Sequence, residues 1–215
     1  MTESASRAVV LTGDLVSSTD AGTDLVNKAV GRVSAVAENI AAWPGSGRVY
    51  FTRFRGDGWQ FLIPRASYSL RALVCIHAGL RAAEDVPLSR ISAGVGSVDP
   101  VPGGDLSNAS GSALIASGRA LDRLEKSRLF CVAGEGMTPL HHAIIDLVEE
   151  HVMRWTPEQA EATSYYLSPD NPTQKSIART LHISVQAVHA RLKGAGAQAL
   201  RRAVEAWEQK ERTYD

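Results

Sequence analysis

Residues 48–54 and 59–63 are two short runs rich in β-branched and aromatic side chains, separated only by Arg55-Gly56-Asp57-Gly58. An Asp-Gly pair between such runs specifies a tight hairpin, so the two segments pair antiparallel and the turn presents Asp57. Everything else must be built around that ribbon. Upstream, residues 8–12 (AVVLT) read as a buried strand ending in Gly13-Asp14. Across residues 24–42, Val26, Val30, Val33, Ala37 and Ile40 form a helical stripe that Trp43-Pro44-Gly45-Ser46-Gly47 stops. A second helix is expected over residues 68–83, where Leu73, Ile76 and Leu80 share one face and His77 sits beside them as a core-edge histidine. A strand over 90–98, a loop over 102–111, a helix over 112–124 and a strand over 128–133 complete the series. The order β-α-β-β-α-β with an added α-β predicts an α+β, ferredoxin-like domain, with helices on one face of a mainly antiparallel sheet.

The 215 residues include 44% hydrophobic and 21% charged side chains, an ordinary globular mix that excludes collagen-like, disordered and disulfide-scaffold classes. Twenty-three basic residues balance twenty-three acidic ones, so global charge names no partner. Its distribution does. Before Arg154 there are 14 basic and 16 acidic residues; from Arg154 onward there are 9 and 7, so the two parts carry −2 and +2. The joint falls at residues 151–156, where the helical pattern HHAIIDLVEEHV gives way to Thr156 as N-cap and Pro157 at the first helical position. Two units follow, residues 1–152 and 153–215. Cys75 and Cys131 both lie in apolar surroundings and read as buried thiols of a reducing compartment. The first residues have two acids and only a short apolar run, so neither a signal peptide nor a membrane span is expected, and the protein reads as cytoplasmic.

In the second unit a helix over 157–166 precedes a helix over 173–181, the turn His182-Ile183-Ser184, and a third helix from Val185. Ile177, Ala178, Leu181, Ile183, Val188 and Leu192 are spaced as a helix-turn-helix requires, with Ala178 small enough for close approach. His182 stands at the turn position usually held by Gly and can adopt a left-handed backbone at some cost; Ser184 caps the recognition helix. Residues 173–204 hold Lys175, Arg179, Arg191, Lys193, Arg201 and Arg202 and no acid. Gln186 and His189, with Ala187 and Ala190, are placed to read base edges, while Lys175, Arg179, Arg191 and Lys193 are expected to meet phosphates. The bland alternative is a three-helix unit that only packs or dimerises. His141 and His142, adjacent on a helix, face different directions and cannot share a metal.

In the first unit, Asp14 ends one strand and Asp57 sits in the hairpin turn; if those strands are neighbours, both carboxylates meet at one sheet edge. Such a pair suits a hard divalent cation bridging to substrate phosphates. Between Asp14 and the first helix, Leu15-Val16-Ser17-Ser18-Thr19 offers amides and hydroxyls to an anion. Both aspartates also suit simple turn and cap roles.

TGDLVSST resembles the first metal motif of class III adenylyl and guanylyl cyclases, and RFRGDG resembles their second. The resemblance implies Asp14 and Asp57, with the Leu15 backbone, as ligands of magnesium or manganese, and Ser17, Ser18 and Thr19 as a triphosphate loop. RISAGVGSV and GSALIASGRAL resemble later segments of that family, and the whole match spans about residues 8–133. Carried across, Arg119 falls on the transition-state Arg and Ile115 on the transition-state Asn. Arg53 and Asn108 fall on the two base-reading positions. Ile115 cannot form a side-chain hydrogen bond, and Ser18 replaces a usual Phe. The layout of the whole chain is similar to the bacterial SatD-like family. Together these imply a homodimeric regulator that couples a cyclase-like domain, binding a nucleoside triphosphate or cyclic nucleotide, to a DNA-binding helix-turn-helix. A magnesium-dependent nucleotidyl cyclase or nucleotidyltransferase, and a non-catalytic dimerisation platform, are the alternatives.

Overall fold

The computed structural model describes residues 7–54 and 56–212, which form one mixed five-stranded sheet and nine helices, an α+β protein. Strands β1 (Ala8–Leu15), β2 (Tyr50–Arg53), β3 (Trp59–Ile63), β4 (Ser89–Gly96) and β5 (Phe130–Gly134) lie in the order β2-β3-β1-β4-β5. β1 is central and antiparallel to both neighbours, β2 pairs antiparallel with β3, and β5 adds parallel to β4. The hairpin expected from Asp57-Gly58 therefore forms; Arg55 of its turn lies outside the described residues, as do residues 1–6 of the amino-terminal stretch. β1 continues three residues past the apolar run, which places Asp14 within the strand opposite Arg90.

On one face, Val9, Leu11, Leu15, Trp59, Phe61, Ile63, Ile91 and Val95 pack against α2 (Thr23–Ala41) and α3 (Ser69–Arg81). Gly13 is required there, because a Cβ at that position would stand 2.4 Å from the Trp59 ring. The expectation that all helices share this face is corrected by α4 (Ser112–Arg123), which lies on the opposite one. Thr12 Oγ1 and Ser117 Oγ are 2.8 Å apart across that contact, and Ala113 joins Ala8, Val10 and Leu62 in a second, smaller core. The cause is Gly94: a Cβ there would lie 2.3 Å from the Ala113 carbonyl oxygen, so only glycine lets the helix approach the strand.

After α5 (Pro139–Val152), four helices close the chain: α6 (Pro157–Tyr166), α7 (Gln174–Leu181), α8 (Val185–Gly194) and α9 (Ala197–Glu211). They share the main core, since Ala160, Ile177, Val188, Leu192, Leu200 and Trp207 belong to the same buried cluster as the sheet. No helix among the described residues is long and apolar enough to cross a membrane. α3 is the shared element and is buried almost all round. Its Arg71, 3% exposed, holds both Glu208 oxygens (Nε to Oε1 2.5 Å, Nη2 to Oε2 3.0 Å) and donates to the Leu167 carbonyl. Glu208→Ala should therefore leave a buried, uncompensated guanidinium and cost about 3–5 kcal/mol in urea unfolding, whereas Arg71→Met with Glu208→Leu should recover most of that loss. Equal losses in the single and double variants would contradict this.

His77 is fully buried between Phe130 and Trp155, with ring centroids 5.3 and 6.5 Å away, rather than at the core edge. Neither ring nitrogen makes a hydrogen bond, and burial pushes the pKa from 6.5 down to about 4, against a weaker pull from the Val152 backbone. The unfolded chain takes up this proton below pH 6.5 and the native one does not, so stability falls as pH drops from about 6.5 to about 4. The contribution is about 3 kcal/mol over that window. His77→Phe should flatten that limb of the stability profile; an acid limb identical to wild type would rule His77 out as its source.

Candidate functional site

Two places gather the residues singled out by the sequence. The first is the end of the sheet where β1 stops and β3 begins. Gly13 pairs with Trp59, which sets Asp14 and the turn bearing half-buried Asp57 at the same end. Asp14, however, is already engaged. Arg90 donates from Nε to Oδ1 at 2.9 Å and from Nη2 to Oδ2, and this pairing holds the guanidinium pKa up. Arg90 also reaches the Leu124 carbonyl at 3.4 Å. The Leu15 side chain is buried in the main core, leaving only its backbone for a ligand.

Among the described residues no three His, Cys, Asp or Glu side chains come together as a metal cluster. A divalent cation at Asp14 would compete with Arg90, because each carboxylate oxygen already accepts from the guanidinium. Sequence reasoning missed Arg90. The signal lay in the strand register, which puts a charged residue of β4 directly opposite Asp14.

The loop after β1 folds into a single turn, α1 (Ser18–Ala21), behind Ser17 in the left-handed region (φ 53°). Ser17 and Thr19 are exposed and Ser18 is half-buried. Arg53, exposed at the end of β2, grips the Gly56 carbonyl (2.9 and 3.2 Å) and Asn27 Oδ1 of α2 (2.8 Å), so it ties the Asp57 turn to the helix. Asn108, also exposed, ends a short turn whose Leu106 amide donates to Thr52 Oγ1 at 2.9 Å. Arg53 and Asn108 therefore both stand on the β2 side of the sheet.

A row of polar side chains that the sequence reading overlooked runs across the same sheet at one register level: Thr52, Gln60, Thr12, Ser92 and Cys131. Gln60 Nε2 donates to Thr12 Oγ1 at 3.3 Å. Strand alternation was the available clue. Cys131 is only half-buried, correcting the expectation for that thiol, because β5 is an edge strand beside an open groove; Cys75 is buried and its thiol is pushed up to about 12. That groove, about 510 Å³, is lined by Arg119, Arg123, Cys131 and His142, and neither Asp14 nor Asp57 contributes to it. α4 turns Ala113, Ser117 and Leu121 inward and leaves Ile115 and Arg119 exposed. Within one chain, then, Arg119 does not share a cavity with the aspartates.

The second place is the surface of α7 and α8. Thr173 accepts from the Ser176 amide and Ser184 from the Ala187 amide, both at 3.1 Å, so Ser184 caps α8 as expected, while Thr173, read in the sequence as the first helical residue, is the cap of α7. His182 takes the left-handed conformation (φ 54°, ψ 37°) between them, and the Ile183 amide returns to the Ala178 carbonyl at 3.1 Å. Thr156 caps α6 before Pro157 as expected, and Gln159 completes a capping box with it. Ile177, Ala178, Val188 and Leu192 are buried; Lys175, Arg179, Gln186, His189 and Lys193 are exposed. Arg191 differs. It is half-buried and paired with Glu161 of α6 at 2.9 Å, so it braces the helices internally. His141 and His142 diverge as anticipated: His141 is buried against Glu211 at 3.2 Å and His142 is exposed. No protein-family model matches the chain and no curated protein is similar to it, so the functional reading rests on these residues and their geometry.

Proposed function

We propose that the chain is a DNA-binding regulator in which α6–α8 form a helix-turn-helix, α8 enters the major groove, and the sheet unit, a ferredoxin-like and cyclase-like domain, serves as its nucleotide-responsive platform. One observation carries the reading: α7 and α8 meet at a left-handed turn, with their apolar residues buried and Lys175, Arg179, Gln186, His189 and Lys193 outward on a stretch free of acids. A helix of this kind reads base edges near its amino-terminal end while basic side chains on both helices neutralise phosphates. Gln186, in the first turn of α8, is suited to adenine through paired donor and acceptor contacts. Arg191, held by Glu161, is assigned to positioning α8 on α6 rather than to phosphate contact.

Duplex DNA binding followed by anisotropy from 50 to 200 mM salt tests this, with Lys175→Ala and Arg179→Ala combined. Each lost phosphate contact reduces the slope of log K against log salt by about 0.9, so the double variant should flatten it by about 2. An unchanged slope would remove both residues from the interface.

The nucleotide part of the proposal is supported by Asp14 and Asp57 lying at one end of the sheet, with Arg53 and Asn108 on its β2 side. Magnesium or manganese, when bound there, would neutralise phosphate charge; Asp14, Asp57 and the Leu15 backbone would hold it. The chain's own residues position and compensate: Arg90 balances Asp14, and Arg53 fixes the Asp57 turn. Equilibrium dialysis of the four ribonucleoside triphosphates, with and without magnesium, should show wild-type binding that Asp57→Ala removes. Absence of binding would leave the sheet unit as a platform, and turnover would establish the enzyme alternative despite Ile115.

A further inference from the structure

Beside the outward side of α8 lies a cavity of about 410 Å³ lined by side chains from four helices. Tyr166 comes from the end of α6, Gln174 from the start of α7, His189 and Lys193 from α8, and Gln198 and Arg202 from α9. Lys193 follows His189 by four residues and Arg202 follows Gln198 by four, so each pair occupies one helical face and the two faces converge on the same space. No acidic side chain lines it. Neither Lys193 nor Arg202 is ion-paired among the described residues. The Tyr166 ring is held from outside the cavity by the Arg201 guanidinium, 3.4 Å from its centroid.

We infer that this cavity is a phosphate site. One lysine and one arginine, a histidine and two carboxamides, with no counter-charge, present hydrogen-bond donors from separate helices. A phosphate supplies the missing negative charge and several acceptor oxygens, whereas a carboxylate-bearing or neutral ligand uses fewer of these donors. The phosphate belongs either to the duplex backbone or to a free nucleotide. Because His189 and Lys193 belong both to the cavity and to the exposed side of α8, a backbone phosphate of DNA seated on α8 is the source the geometry favours. This rests on the DNA-binding reading and extends it: α9, outside the helix-turn-helix, adds Gln198 and Arg202 to the contact.

The test uses the full chain with Arg202→Gln, Arg202→Lys and Gln198→Glu, all at exposed positions, each first matched to wild type in thermal unfolding. With duplex DNA, Arg202→Gln should weaken binding about tenfold irrespective of sequence and reduce the salt slope by about 1, Arg202→Lys should keep the slope, and Gln198→Glu should weaken binding further. In a second arm, ATP without DNA is titrated by calorimetry. If wild type binds no DNA, the DNA reading fails on its own, and Arg202-dependent ATP binding would still establish the phosphate site. If DNA binds but neither DNA nor ATP binding responds to Arg202→Gln, the phosphate site is overturned while the DNA reading stands.

Discussion

The clamp of Arg71 on Glu208 and on the Leu167 carbonyl is the interaction on which the arrangement of the chain turns. Arg71 belongs to α3, the helix that also backs the sheet, Leu167 follows α6, and Glu208 belongs to α9. Three elements are thus fixed by one guanidinium. A buried ion pair of this kind contributes little net stability over an apolar substitute, but it penalises any arrangement in which one partner is left alone. Around it, Trp207 Nε1 donates to Ser69 Oγ at 2.9 Å, Trp155 Nε1 to the Ala195 carbonyl at 3.0 Å, and Arg81 Nε to the Trp155 carbonyl at 2.8 Å. These polar links run through an otherwise apolar core and set the docking geometry of the last four helices.

Local features were legible where one residue type decides the backbone. Thr156-Pro157 dictated the start of α6 and Ser184 the start of α8, and each cap formed as the residue chemistry requires; the hairpin expected at Asp57-Gly58 also formed, but Gly56 rather than the Asp-Gly pair takes the left-handed backbone of its turn. His182 was readable as a left-handed residue because it stands at the turn position usually held by Gly. What escaped was long-range. α3 reads in sequence as one stripe of Leu73, Ile76 and Leu80, yet Ser69 through Ala78 are all buried, because the second side of the helix is covered by α6 and α9. The placement of α4 on the far face depended on Gly94, whose role as a contact for Ala113 has no local signature.

The carboxylate end of the sheet was legible only in part. Register alone brings Asp14 and Asp57 to one end, as the motifs imply, but pairing also places Arg90 across from Asp14. Sequence gives no measure of which partner a carboxylate takes when a cation on the adjacent strand competes with a metal. With the Asp14 side chain 31% exposed and Arg90 24% exposed, the pair is partly solvated and contributes on the order of 1 kcal/mol or less. A multivalent ligand whose gain exceeds that would separate it, so under the proposed reading Arg90 would set a threshold for binding rather than a block.

The same fusion of units constrains how any signal could pass between the two surfaces. A helix-turn-helix on a flexible tether can swing; here α6 and α8 are packed into the core that continues through α3 to the sheet. Swinging α6–α9 as a block away from the sheet unit would require breaking the Arg71 clamp and exposing Trp155 and Trp207, a cost of several kcal/mol that ordinary ligand coupling of about 1–3 kcal/mol does not meet. Under the proposed reading, a nucleotide at the carboxylate end would therefore alter DNA binding by changing how two copies are spaced rather than by moving α8 within one chain. The exposed side of α4, carrying Ile115 and Arg119 away from the sheet, is a surface through which such spacing could be set without disturbing the core.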